Sequence, residues 1–200
     1  MKPKTLLFVV ATLFLTPFAY AGDTYKPDPA HTTVGFTTTH LLINKVHGRF
    51  KEYEATILFD ENDITKSSMT GTIKTASIDT GNENRDADLK SENFFDAEKY
   101  PEITFQSKKI EKSADGYTML GTLTIRGISK DVTLPLTIAG PIRDPWGNRR
   151  IGVQARMKLN RQDFKISWNK VLEGGGAVVA DEAEIHIDCE LVKQSPPASK

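Results

Sequence analysis

In segment after segment of this chain apolar residues fall at every second position, the period of a strand with one face buried and the other in water. Val34 and Phe36 alternate with Thr33, Gly35 and Thr37; Met119, Leu123 and Ile125 share a face; Val132, Leu134, Leu136 and Ile138 alternate, as do Ile185, Ile187, Cys189 and Leu191. Turn-forming clusters separate these segments, among them Asn44 to Gly48, Asp60 to Asp63, Asp115-Gly116 and Gly127 to Lys130. The spacing predicts strands over His31–Leu42, Phe50–Phe59, Met69–Ile78, Ile103–Ile110, Tyr117–Arg126, Val132–Ile138, Ile151–Leu159 and Glu182–Leu191. Pro135 falls on the polar face of its strand and suggests a sheet edge or a bulge. About eight antiparallel strands protect their edges best by closing, so the predicted fold class is all-β, a barrel whose interior holds packed side chains or one small ligand.

One stretch breaks the pattern. From Ser77 to Phe105 the chain ends a strand at Ile78-Asp79-Thr80 and turns at Gly81-Asn82. It then carries charged residues with Ala87, Leu89, Phe94 and Phe95, before Pro101 returns it to a strand. Arg85, Asp86 and Lys90 at helical spacing predict one or two short helical turns between Glu83 and Phe95. Two adjacent phenylalanines cannot face one way on such an insert, so it is expected to lie between two apolar surfaces, as a plug over a barrel mouth.

The chain opens with Lys2 and Lys4, an apolar run from Leu6 to Phe18, and Ala19-Tyr20-Ala21. That reads as a secretory signal peptide, residues 1–21, cleaved after Ala21 and too short to span a membrane. A single domain over residues 22–194 and a short tail over 195–200 account for the rest, and the location implied is the periplasm. The whole chain carries 26 basic and 26 acidic residues, so without Lys2 and Lys4 the balance is 24 against 26. A chain so nearly neutral has no electrostatic footprint for nucleic acid or an anionic membrane surface. Nothing in it points to an integral membrane protein. Cys189, the single cysteine, alternates with polar neighbours and reads as a small buried hydrophobe.

Several motifs run in order along the chain: Asp28-Pro29-Ala30-His31-Thr32, Gly48-Arg49-Phe50, Ser77-Ile78-Asp79-Thr80, Arg85-Asp86, and Phe94-Phe95-Asp96. After these come Tyr100-Pro101, Gly121-Thr122-Leu123-Thr124-Ile125-Arg126-Gly127, Asn160-Arg161 with Asp163-Phe164, and Asp181-Glu182. With them the chain resembles the YceI-like family of bacterial exported proteins, the polyisoprenoid-binding family with an extended lipocalin-like barrel. The resemblance implies a tunnel that takes a long isoprenoid chain, as in an isoprenoid quinone, or a related fatty amphiphile. It implies a homodimer as well. The triple glycine at Gly174-Gly175-Gly176, with Leu172, departs from the family pattern.

By alternation Phe36, Phe59, Ile73, Phe105, Met119, Leu123 and Ile125 face inward, where they line a tunnel or fill a core. Phe94 and Phe95 are expected at its mouth. Trp146 and Trp168 are either further mouth aromatics or rim anchors. His40 ends an inward face and is placed to hydrogen-bond a ligand headgroup. The four histidines, His31, His40, His47 and His186, lack the close pairing of a zinc site, so no metal and no resident cofactor beyond a bound lipid is expected. Arg85 and Asp86 read as a structural pair fixing the insert, with Arg85 meeting Asp79, since no nucleophile, base or phosphate loop accompanies them. Two functions stay open: a lipid carrier without catalysis, and an enzyme or metal-dependent protein acting on a lipid-like substrate at the tunnel mouth.

Overall fold

The computed structural model describes residues 22–195, so the signal segment and all but the first residue of the tail lie outside it. Strands β1 (Asp23–His40), β2 (Asn44–Phe50), β3 (Tyr53–Phe59), β4 (Ser68–Lys74), β5 (Ile78–Asp79), β6 (Glu102–Ser113), β7 (Gly116–Ile125), β8 (Ile128–Arg143), β9 (Arg149–Asn160) and β10 (Val179–Lys193) form one antiparallel sheet. β10 pairs with β1 and closes it. β2 and β3 run on from one another along β1, and β5 continues β4 along them, so the ring is an eight-strand antiparallel barrel in which sequence neighbours are spatial neighbours. This is the lipocalin-like all-β fold that the sequence predicts. One end holds the β1–β2 turn, the insert and the segment from Arg161 to Val178; the other holds both ends of the described chain and the β3–β4, β6–β7 and β8–β9 turns. We call these the upper and lower ends.

Inside, large rings lie over glycines on neighbouring strands. Carbons of the Phe36 and Phe105 rings stand 2.3 Å from where a Cβ on Gly48 and Gly121 would be, so each glycine supplies the space its aromatic partner fills. Gly48 is therefore a strand residue, and the turn predicted over Asn44 to Gly48 is β2 instead. The chain actually turns at Leu41 to Ile43, three apolar residues without turn chemistry.

β1 also begins at Asp23 and not at His31, because Asp28 to His31 bulge out of the ladder between the pairs Pro27–Leu191 and Thr32–Cys189. That bulge accommodates Pro29, which would otherwise have ended the strand. Pro135, by contrast, sits in the regular β7–β8 ladder opposite Thr118; the irregularity of β8 comes later, between Ala139 and Ile142.

On the barrel's outside Arg150 ties three segments together, bonding to Asp28 in the bulge (2.7 Å), to Asp144 in the β8–β9 turn (2.7 Å) and to Glu190 on β10. Arg150, His31 and the Ala30 amide together hold the Asp28 carboxyl down at about 2. Burial pushes Asp144 upward, but bonds from Arg150, Asn148 and the Trp146 amide outweigh it and leave that group also at about 2. Carboxyls depressed in the folded state stabilise it above their unfolded value near 4, and the contribution is lost as pH falls through the folded value. Stability is expected to decline between about pH 4 and pH 2. An Asp144→Asn variant, less stable at neutral pH, should show a shallower acid slope when unfolding is followed by circular dichroism.

Candidate ligand cavity

The lower end is sealed by Tyr25, fully buried and edge-on to Phe59 with ring centres 5.7 Å apart. Its hydroxyl donates to Glu61 Oε1 at 2.8 Å, and Glu61 also accepts from Arg149 Nε at 2.9 Å. Burial first, and the Glu61 carboxylate next, push the tyrosine up to about 12, so the phenol stays a donor at any physiological pH.

The upper end is covered by the insert. Its helix α1 (Glu83–Lys90) starts where the Asn82 side chain accepts from the Arg85 amide at 3.0 Å. It stops short of the two phenylalanines, which lie in the turns that follow. Asp86 Oδ1 accepts from the Thr80 amide (2.9 Å) and hydroxyl (2.6 Å), while Arg85 donates to the Thr80 hydroxyl (2.7 Å) and carbonyl (2.9 Å). The pair therefore clamps the helix to Thr80. Asp79 is engaged by Arg49 and Lys51 instead of the expected Arg85.

Phe94 and Phe95 both reach the cavity but meet different rings. Phe94 packs against Trp168 (ring centres 5.3 Å apart) in the segment after β9, and Phe95 stands edge-on to Phe50 in the barrel wall (5.9 Å). Arg126 donates to the carbonyls of Phe94, Glu92 and Lys165, binding insert and segment to each other. Arg161, 6 % exposed, does the same for the segment and β10 through the carbonyls of Ile166, Trp168 and Ala180.

Between these closures lies a cavity of about 280 Å³ with an almost wholly apolar wall. Phe36, Ile73, Phe94, Phe95, Leu123 and Ile125 line its upper part, and Phe59, Phe105 and Met119 its lower part. Three of the predicted residues stand elsewhere. His40 continues the inward face beyond Thr38, past the cavity; Trp168 backs Phe94 from outside; Trp146, 81 % exposed, sits on the β8–β9 turn at the lower end. The sequence reading also missed contributors to the wall: Phe50, which it placed at a strand start, and Tyr53 and Ala155, which keep the two-residue period of Ile57 and Phe59 and of Met157 and Leu159 and could have been found by it.

Tyr53 and Thr32 at the wall have polar partners. The Tyr53 hydroxyl donates to the Thr32 carbonyl at 3.0 Å, and Thr32 in turn donates to Cys189 Sγ, whose thiol burial pushes up and leaves unreactive. Among the described residues no buried side-chain nitrogen or oxygen lacks a partner. Asp28, His31 and Glu190 are close enough together to hold a metal ion, but Arg150 already bonds both of those carboxylates, and the group lies on the outside of the barrel. Chemically the almost wholly apolar interior can bury hydrocarbon.

Residues 25–191 match the YceI-like domain family. Protein YceI of Salmonella newport (strain SL254) is 34 % identical over 196 residues, spanning 97 % of this chain and all of that protein. The chain belongs to the YceI-like family. Among solved structures, the YceI protein of Campylobacter jejuni is 36 % identical, with a TM-score of 0.68 over 78 % of this chain and 90 % of that one. BcnA of Burkholderia cenocepacia is 27 % identical, with a TM-score of 0.70 over 82 % and 98 %. A polyisoprenoid binding domain from Saccharophagus degradans, 14 % identical, shares the fold with a TM-score of 0.62 over 85 % and 98 %. The motifs of this YceI-like chain now have places: the bulge for Asp28 to His31, the Thr80 clamp for Arg85-Asp86, and the staple across the upper segment for Arg161. Among the described residues no helix is long and apolar enough to cross a membrane.

Proposed function

We propose that this YceI-like protein is an exported carrier that holds an isoprenoid quinone, a polyisoprenoid or a similar long-chain amphiphile in its barrel within the periplasm, without catalysing a reaction on it. The observation that carries this reading is the almost wholly apolar cavity, with no buried side-chain nitrogen or oxygen lacking a partner among the described residues. Such a wall favours hydrocarbon, at ~0.8 kcal/mol per buried methylene. A ligand would enter at the upper end, where turns and side-chain contacts rather than a continuous ladder form the closure. The polyisoprenoid binding named for the Saccharophagus domain agrees with this, although that likeness supports the fold alone.

The test is mass spectrometry of organic extracts from protein purified out of its native periplasm, beside a folded Met119→Trp variant. Met119 lies in the wall, and the larger ring takes up cavity space. A stoichiometric long-chain lipid in the wild type that is depleted in the variant is the expected result. Equal amounts in both, or none in either, would count against the carrier.

A further inference from the structure

The β1–β2 hairpin projects beyond the barrel rim. β5 pairs with β2 only at Arg49 and Phe50, so Asn44 to Gly48 have no strand on that side among the described residues. At the tip the Ile43 amide donates to the His40 carbonyl (3.2 Å), and the two residues between, Leu41 and Leu42, have φ of 50° and 64°. Two left-handed residues in succession are the pattern of a type I′ turn, for which Asn-Gly is the favoured pair. Bulky leucines there cost stability that Leu42, 60 % exposed, does not recover by burial; Leu41 is 37 % exposed, and Ile43 beside them is 87 % exposed.

A second apolar tip stands beside the first. The Leu41 amide donates to the Val178 carbonyl (2.8 Å), Leu42 packs against Gly176, and Val171 at the start of that loop is 85 % exposed. Two exposed lysines flank the pair in sequence, Lys45 after one tip and Lys170 before the other, and within these two loops the one acidic residue is Glu173. Directly beneath, Thr38 and Val179 belong to the cavity wall, so the apolar interior runs up to the foot of the hairpin.

We propose that Leu41, Leu42, Ile43 and Val171 insert into the surface of a lipid bilayer, with Lys45 and Lys170 meeting headgroup phosphates, and so set the upper end of the barrel against the membrane that holds its cargo. Strain retained at an exposed apolar tip is what a surface selected for insertion would show, and the near-neutral net charge makes apolar contact the main attraction. A bilayer suits these tips better than a second copy of the chain, because the lysines have like-charged counterparts on a copy and phosphates on a membrane. This proposal rests on the carrier reading for its purpose but not for its test.

The experiment is co-sedimentation of the chain from Gly22 onward with vesicles of phosphatidylethanolamine and phosphatidylglycerol. The comparison is with the triple variant L41N/L42G/I43T and with Met119→Trp, whose tip is intact. Wild type and Met119→Trp are expected to partition onto vesicles alike. The triple variant should partition at least tenfold less while its thermal midpoint stays level or rises, because Asn-Gly relieves the turn. Binding by the triple variant equal to that of the wild type, or no binding by the wild type, would overturn the proposal. So would light scattering showing a wild-type dimer that the triple variant loses while neither binds vesicles. Because Met119→Trp reports on the bilayer with its cavity blocked, a cavity without lipid and a tip without affinity give separate signals.

Discussion

Replacing Phe94 by serine is expected to destabilise the protein by at least ~3–5 kcal/mol, the range for removing a large core ring. At roughly 2–4 °C per kcal/mol for a domain of this size, the thermal midpoint should drop by about 6–20 °C. Phe94 is 6 % exposed and wedged between the upper core and Trp168, so its loss leaves a hole that rigid barrel walls cannot collapse into. Phe95 should behave differently. Half-buried against Phe50, it has less to lose on truncation, so Phe95→Ser is expected to cost about 1–2 kcal/mol while reducing the lipid recovered on extraction. Thermal unfolding and extraction on both single variants separate the roles. If they lose stability equally and keep the same lipid, the pair is core and does not close the cavity.

Arg161→Ala carries the second large effect. The side chain is buried beneath the upper segment, and its guanidinium satisfies carbonyls of Ile166 and Trp168 in that segment and of Ala180 at the start of β10. Leaving those acceptors without a donor in a buried setting costs about 1–3 kcal/mol each where water cannot replace it, so a total near 3 kcal/mol and a midpoint about 6–12 °C lower are expected. Arg161→Lys should recover only part of this, because one ammonium cannot span the fork of acceptors. The segment it anchors also carries Trp168, the support of Phe94, so the alanine variant should release bound lipid faster. A midpoint within about 2 °C of the wild type would show that the staple is not needed.

What the sequence determined by itself is the class of fold and the identity of most inward faces. A two-residue period dictates which side chains share a face, and that held for Phe36, Phe59, Ile73, Phe105, Met119, Leu123 and Ile125, because alternation is a property of each strand on its own. The doubly aromatic insert was legible as a cover, but its rings join one core cluster, Phe94 against Trp168 and Phe95 against Phe50, instead of two separate surfaces. Residues outside the period were not legible in this way. His40, Trp146 and Trp168 sit where loops and strand ends happen to finish, and local pattern does not say which end of a barrel a turn occupies. Gly48 looked like a turn because its purpose, room for the Phe36 ring, exists only once β1 and β2 pair. Arg161 stood out only as part of the Asn160-Arg161 motif, and its role as a staple exists only once segments distant in sequence meet around it. Only closure of β10 on β1 decided that the inward faces enclose a space, since the size of that space depends on how eight strands tilt and pack together and not on the residues of any one.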